Sequence, residues 1–125
     1  MNIIKTPYPI STNRYYRVFR NITTLSKDGK MFKQIVKFTN SQYKPILNNI
    51  SLDITIHPKL KKNNTAYIKI IDLDNSLKCI LDSLIGLVYD DDKQVKELHV
   101  RYGDAIQNGG ATVIFNIIAL PTLDF

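Results

Sequence analysis

Apolar and polar residues alternate most regularly over 50–56, where isoleucine or leucine occupies every second position. This period of two predicts a half-buried β-strand that ends before Pro58. A first strand over 3–10 contains Pro7 and Pro9, which restrict it to a sheet edge or an early exit. Weaker apolar runs predict further strands at 67–71, 93–102 and 111–120.

Two details shape the C-terminal strands. Within 93–102, Val95 lies on one face and the later apolar residues lie on the other, which predicts a β-bulge. Asn108-Gly109-Gly110 is a turn sequence. We expect it to join the last two strands as a hairpin.

Apolar residues recur at helical spacing in two segments. The first predicted helix has Ser26 as its N-cap, extends to about residue 43 and is ended by Pro45. The second covers about 75–85 and is followed by Gly86 in the C′ position. The segment 11–25 lacks a clear period and predicts an exposed, flexible, DNA-contacting loop.

These elements predict one α+β domain over residues 1–125, with a small mixed β-sheet and two helices. No apolar run approaches the roughly 20 residues of a membrane span, so no membrane partner is expected. The N-terminus lacks a secretory segment, and the single cysteine, Cys79, cannot form an internal disulfide. We therefore expect a cytoplasmic protein in which Cys79 is structural.

Charge is distributed very unevenly along the chain. Residues 1–71 contain 13 Lys and Arg but two acidic residues, whereas residues 72–125 contain four Lys and Arg and nine acidic residues. A basic first half favours a polyanionic partner such as nucleic acid, and no small-molecule substrate is expected. The acidic second half adds the possibility of catalysis.

Five of the nine acidic residues of the second half form two groups, Asp72 with Asp74, and the run Asp90-Asp91-Asp92. Two carboxylates two residues apart in an extended segment point the same way. Oxygen ligands of this kind suit Mg²⁺ or Mn²⁺, and Lys78 follows Asp74 by one helical turn. Helix capping and a solvated turn are equally open explanations. His57 and His99 lack partners at ligand spacing and are expected to be structural.

The acidic segment and the N-terminal segment together resemble the RusA family of Holliday junction resolvases. The acidic signature reads Asp72-Leu-Asp74-Asn75-x-x-Lys78-x-x-x-Asp82-x-Leu84-x-Gly86-x-x-Tyr89-x-Asp91-Asp92-x-Gln94-Val95. The N-terminal match reads Pro9-Ile-Ser11-Thr-Asn13-Arg14-Tyr15-Tyr16-Arg17, then Ser26-Lys-Asp-Gly29-Lys30. This chain departs from the family in having Ile70-Ile71 before the first Asp, where members usually carry Arg, Lys or Pro.

The resemblance implies a homodimeric, Mg²⁺-dependent crossover junction endodeoxyribonuclease, with Mn²⁺ as a plausible substitute. Such enzymes nick four-way DNA junctions symmetrically in recombination and repair, leave a 5′-phosphate, and are common in phages. The implied metal ligands are Asp72, Asp74 and Asp92, with Asp91 as the alternative third ligand. Lys78 is the implied catalytic lysine, and Asn75 and Asp82 are supporting residues.

Basic and aromatic residues before the acidic segment are expected to bind the DNA. The expected contacts are Asn13, Arg14, Tyr15, Tyr16, Arg17, Arg20, Lys27 and Lys30. The aromatic residues among them either stack on unpaired bases or belong to the core. Two other functions remain open, namely a metal-dependent nuclease that cuts flaps and forks, and a non-catalytic DNA-binding protein.

Overall fold

The computed structural model describes residues 2–61 and 70–119, which form a small α+β fold as predicted. The strands are β1 (Ile3–Thr6), β2 (Tyr16–Phe19), β3 (Ile22–Leu25), β4 (Ile50–His57), β5 (Val95–Tyr102) and β6 (Gly110–Ile117). The helices are α1 (Thr12–Tyr15), α2 (Lys27–Thr39) and α3 (Leu73–Ser83), with a 3₁₀ turn at Asp92–Gln94.

The main sheet has the strand order β1-β6-β4-β5 and is mixed, because β4 and β5 are parallel while the other pairs are antiparallel. Every second residue of β4, from Ile50 to Ile56, is fully buried, which confirms the predicted alternation. These residues form one core with buried residues of α2 and α3. Both helices therefore cover the same face of the sheet. None of the described helices is long and apolar enough to cross a membrane.

The segment 11–25 is not the irregular loop that its composition predicted. It contains α1 and a separate two-stranded sheet of β2 and β3. The turn between these strands places Arg20 and Asn21 at φ 50° and 63°. Two positive φ values match the twist of a short hairpin, but glycine does not mark this turn. The hairpin was missed for that reason.

The predicted helices are correct in kind and differ at their ends. Ser26 caps α2, because its hydroxyl accepts a hydrogen bond from the Gly29 N–H at 3.0 Å. α2 ends at Thr39, well before Pro45, and the Asn40 side chain donates to the Val36 carbonyl at 2.8 Å. Pro45 is thus not what ends the helix.

α3 begins at Leu73, two residues earlier than predicted, and its C-cap is Leu84. Gly86 therefore lies one position beyond C′. It still takes a left-handed conformation, with φ 83°.

The C-terminal strands confirm the bulge but not the hairpin. The β4–β5 register shifts between Ile50 and Ser51, opposite the start of β5. Asn108 and Gly109 do form a turn with φ values of 65° and 66°. However, β4 lies between β5 and β6 in the sheet, so the turn ends a crossover connection and leads into β6. The strand predicted over 67–71 lies mostly outside the described residues.

Candidate active site

Asp72 and Asp74 lie at the N-terminus of α3. Asp72 is the N-cap residue and has extended backbone, with φ −64° and ψ 146°, whereas Asp74 is already in the first helical turn. The prediction that both lie in an extended segment is therefore wrong. Both residues are exposed. Within residues 2–61 and 70–119, no hydrogen bond or ion pair engages either carboxylate, and the Asp72 side chain does not cap the helix.

Two tyrosines hold the residue immediately before Asp72. The Ile71 N–H donates to the Tyr8 hydroxyl at 3.0 Å, and the Tyr102 hydroxyl donates to the Ile71 carbonyl at 2.7 Å. Burial raises the pKa of Tyr102, and the charges of Asp72 and Asp74 raise it further. Sequence inspection missed this support, because Tyr8 and Tyr102 are remote from Ile71 along the chain.

Lys78 lies one turn after Asp74 on α3 and is partly buried. A hydrogen bond with Tyr16 raises the pKa of Lys78, and the negative charges of Asp82 and Asp92 contribute in the same direction. Lys78 is therefore held in its charged form. Tyr16, expected at the DNA, contacts the lysine and packs edge-on against Tyr15 with ring centroids 5.1 Å apart.

The acidic run at 90–92 divides into residues with different partners. The Asp91 carboxylate accepts a hydrogen bond from the Lys93 N–H at 2.9 Å and caps the 3₁₀ turn. The Gln94 side chain accepts from the N–H groups of Asp90 and Asp91 at 2.9 and 3.1 Å. It also donates to the carbonyls of residues 46 and 48. Asp91 and Gln94 thus form a capping box that anchors the turn.

Asp92 is the first residue of the 3₁₀ turn and is exposed. In the described part of the chain, its carboxylate makes no hydrogen bond or ion pair. Its charge nevertheless acts on Lys78 and contributes to raising the pKa of the buried Tyr89, after burial itself. The Asp92 carboxylate is therefore uncommitted among the described residues, whereas Asp91 is occupied as a cap.

Asp82 and Asn75 have structural contacts. The Asp82 carboxylate accepts a short hydrogen bond from the Tyr15 hydroxyl and lies 3.6 Å from the Lys33 ammonium. It thereby joins α3 to α1 and α2. The Asn75 carbonyl accepts a hydrogen bond from Thr12 at 3.4 Å. The Asn75 contact involves only its backbone, and the supporting roles of both residues stay predictions.

No three acidic, histidine or cysteine side chains of the described residues lie close enough to hold one metal ion. The predicted triad is therefore not assembled in this structure. Its donors still suit a hard cation, because all three offer only carboxylate oxygens. Since the three side chains are exposed and without hydrogen-bonding partners, no internal contact has to break for them to bind an ion.

The residues expected to bind DNA fall into two groups. Tyr15 is fully buried in the core, so its expected DNA contact is corrected to a packing role. The others are exposed, apart from the partly buried Tyr16, and Arg14 pairs with Asp28 at 3.2 Å. The exposed ones, on α1, the β2–β3 hairpin and the first turn of α2, are Asn13, Arg14, Arg17, Arg20, Lys27 and Lys30.

The remaining candidates are accounted for by packing. Cys79 is fully buried and its thiol accepts a hydrogen bond from the Ile10 N–H at 3.3 Å. Burial raises the pKa of Cys79 to about 11, which excludes it as a nucleophile near neutral pH. His57 contacts the Asp104 carbonyl and the Thr112 hydroxyl at 2.9 and 3.0 Å. His99 contacts Glu97 at 2.8 Å.

Two comparisons with known proteins lead to the same family. A family model described as Endodeoxyribonuclease RusA matches residues 7–114. The crossover junction endodeoxyribonuclease RusA of Enterobacteria phage HK97 is 31% identical to this chain over 107 residues. That match covers 82% of this chain and 83% of the phage protein. The family model spans α3, the acidic turn and the basic N-terminal elements.

Proposed function

Because this chain belongs to the RusA family of endodeoxyribonucleases, we propose that it cuts four-way DNA junctions in a divalent-metal-dependent reaction. The observation that carries this proposal is that the Asp72 side chain does not cap the helix that it precedes. An aspartate at a helix N-cap normally bonds to the first turn, yet this carboxylate is exposed and makes no such bond. The carboxylate is therefore available to bind a ligand.

The metal would be held by the carboxylates of Asp72, Asp74 and Asp92, with Mg²⁺ as the natural ion and Mn²⁺ as a substitute. The occupation of Asp91 as a cap favours Asp92 as the third ligand. A bound ion of this class lowers the pKa of water and neutralises charge on a phosphodiester. Hydrolysis would leave a 5′-phosphate and a 3′-hydroxyl.

Lys78 would stabilise the negative charge that develops on the scissile phosphate. It lies one turn from Asp74, and its raised pKa keeps the ammonium protonated. The hydrogen bond with Tyr16 also restrains the lysine side chain. Tyr16 would therefore be a positioning residue, and Tyr8 and Tyr102 would act similarly through the backbone before Asp72.

Branched DNA would be bound by the exposed basic residues of α1, the hairpin and α2, which suit contacts to phosphates. Phe19, at the hairpin turn, is 60% exposed and offers an aromatic ring to unpaired bases. Symmetric nicking requires two equivalent sites, which a homodimer with two-fold symmetry supplies. A role in recombination and repair, including that of phage DNA, follows from the substrate.

The test is cleavage of a synthetic four-way junction by the wild-type chain and by Asp74→Asn, with and without Mg²⁺. We expect the substitution to reduce the rate by about 100-fold or more. Asp90→Asn is the matched control, because Asp90 is an exposed neighbour in the acidic run that we assign no ligand role. An Asp74→Asn variant that cuts at near the wild-type rate would falsify the assignment.

Binding and substrate choice separate the other possible functions. Asp74→Asn should keep its affinity for the junction, whereas Arg14→Ala combined with Arg17→Ala should weaken binding. Cleavage of flaps or duplex as fast as junctions would identify a nuclease of broader substrate range. Salt-sensitive binding without cleavage in any divalent metal would identify a non-catalytic DNA-binding protein.

A further inference from the structure

The hairpin of β2 and β3 stands apart from the main sheet. Among the described residues its two strands pair only with each other, and every residue over 17–24 is exposed. At its base, Tyr16 lies opposite Leu25, and both side chains pack against the core. The Ser26 N–H also donates to the Tyr15 carbonyl at 2.9 Å. The hairpin therefore has a fixed base and a projecting end.

The projecting end is apolar, although exposed turns are usually polar. Phe19 lies opposite Ile22, on either side of the Arg20-Asn21 turn. These two side chains are 60% and 64% exposed, and the neighbouring Val18 is 68% exposed. Directly opposite residues of an antiparallel pair point to the same face, with their Cβ atoms about 5 Å apart. Phe19 and Ile22 thus form one continuous apolar surface, the hairpin tip.

Positive charge surrounds the hairpin tip. Residues 15–27 contain Arg17, Arg20 and Lys27 and no acidic residue. The Arg20 guanidinium lies 5.3 Å from the centre of the Phe19 ring. A ligand that complements this surface combines negative charge with apolar faces that the tip can reach. DNA with an interrupted base stack offers both, as phosphates and as exposed base faces.

The base of the hairpin is connected directly to the candidate active site. Tyr16, the first residue of β2, forms a hydrogen bond with Lys78. The adjacent Tyr15 hydroxyl donates to the Asp82 carboxylate on α3. Strands rise about 3.3 Å per residue, so the hairpin tip lies about 10 Å beyond Tyr16. Because the tip and Lys78 are held on one framework, the DNA that is cut is favoured over a separate ligand, such as a membrane surface, as the occupant of the tip.

We propose that the hairpin tip is a wedge that enters the branch point of a four-way junction and packs against the base pairs that end its arms. This inference rests on the proposed junction cleavage and adds what selects the branch. Insertion of an apolar side chain into continuous duplex requires a base step to unstack. At a branch point the stack is already interrupted, so the wedge enters at a lower free-energy cost. The hairpin tip would therefore favour junctions over duplex, while the basic residues bind phosphates of either.

The test is binding of the full chain to a synthetic four-way junction and to duplex DNA, without divalent metal so that neither is cut. Phe19→Thr combined with Ile22→Thr removes the apolar tip and keeps residues that favour strands. We expect this variant to raise the dissociation constant for the junction by about 10-fold, and that for duplex by about twofold at most.

The matched control removes an aromatic and an aliphatic side chain that are exposed elsewhere. Phe38→Gln combined with Leu47→Gln suits this purpose, because Phe38 is 84% exposed and Leu47 is 79% exposed. Neither residue belongs to the hairpin. Both dissociation constants should stay at the wild-type values. Circular dichroism confirms that each double variant is folded.

Two further measurements distinguish a wedge from a phosphate contact. We expect the wild-type chain, but not the tip variant, to change the fluorescence of 2-aminopurine placed at the branch point. The same probe in the middle of an arm should not respond to either protein. The tip variant should also keep the wild-type salt dependence of junction binding, because it loses no contact to a phosphate.

Unchanged junction affinity in the tip variant would overturn the wedge and leave the nuclease proposal intact. An equal loss of junction and duplex affinity would also overturn it, since the tip would then not recognise the branch. Binding to phosphatidylserine vesicles that only the tip variant loses, with junction affinity unchanged, would assign the tip to a membrane surface instead. A wild-type chain that binds junction no better than duplex overturns both the wedge and junction selectivity, while Asp74→Asn tests the cleavage chemistry separately.

Discussion

Asp72 and Asp91 occupy the same kind of position but differ in what their carboxylates contact. Each is an N-cap residue with extended backbone. Asp91 accepts a hydrogen bond from the Lys93 N–H and completes a capping box with Gln94. Asp72 makes no side-chain bond to the helix that follows it. One carboxylate stabilises a turn, and the other is exposed and uncommitted.

This difference in hydrogen bonding is the reason for proposing Asp72, and not Asp91, as a metal ligand. Both residues belong to acidic motifs, and a helix N-terminus favours negative charge in both places. Only the hydrogen bonds distinguish them. An acidic residue that could cap but does not is therefore the stronger candidate for metal binding or catalysis.

Asp72→Asn should reduce junction cleavage more than any other substitution considered for these two caps. We expect junction cleavage to fall by about 100-fold or more, because a proposed metal ligand is lost. The free energy of unfolding should change by less than about 0.5 kcal/mol, since no hydrogen bond is removed. Single-turnover cleavage and urea unfolding measure the two quantities.

The opposite result for Asp72→Asn, with cleavage kept and stability reduced, would make Asp72 a structural residue. Asp104→Asn serves as the control, because Asp104 is an exposed acidic residue in the β5–β6 connection. Its substitution should change neither rate nor stability.

Secondary structure was predictable from the sequence where it depends on residues that are neighbours along the chain. The alternation in β4, the Ser26 cap and the bulge in β5 all depend on neighbouring residues. Strand order was not predictable in this way. Periodicity indicates which face of a strand is buried, but not that β4 would separate β5 from β6.

The candidate site depends on contacts of both short and long range. Spacing and resemblance predict Asp72, Asp74 and Lys78, and they leave the choice between Asp91 and Asp92 open. Cap geometry separates these two, and it depends on Gln94 reaching carbonyls more than forty residues away. The tyrosines that hold Ile71 are similarly distant, at separations of 63 and 31 residues. Contacts of this range leave no local pattern.

Gln94→Ala should mainly reduce the stability of the protein, and by more than loss of the Asp91 cap. The side chain accepts from two N–H groups of the acidic turn and donates to two distant carbonyls. Losing these bonds should cost about 2 kcal/mol in the free energy of unfolding. Lys93→Ala, at an exposed neighbouring position, should cost far less. Equal losses for the two variants would remove Gln94 from its anchoring role.

Asp91→Ala should affect stability and leave cleavage nearly unchanged, the opposite of the result expected for Asp72→Asn. Loss of the cap should reduce the free energy of unfolding by about 1 kcal/mol. Cleavage under conditions where the protein is folded should stay within about threefold of wild type, because Asp91 is not a proposed ligand. A loss of cleavage comparable to that of Asp72→Asn would instead make Asp91 the third ligand.

Tyr8→Phe should change stability and cleavage least, because it leaves every proposed metal ligand in place. It removes the hydroxyl that accepts from the Ile71 N–H, which should cost about 0.5–1 kcal/mol of stability. Tyr43→Phe is a matched control, since the Tyr43 hydroxyl bonds to the backbone of Ile3 in β1. If the tyrosine positions Asp72, only Tyr8→Phe should also slow cleavage, by a few-fold. Equal rates for the two variants would show that the position of Ile71 is set without Tyr8.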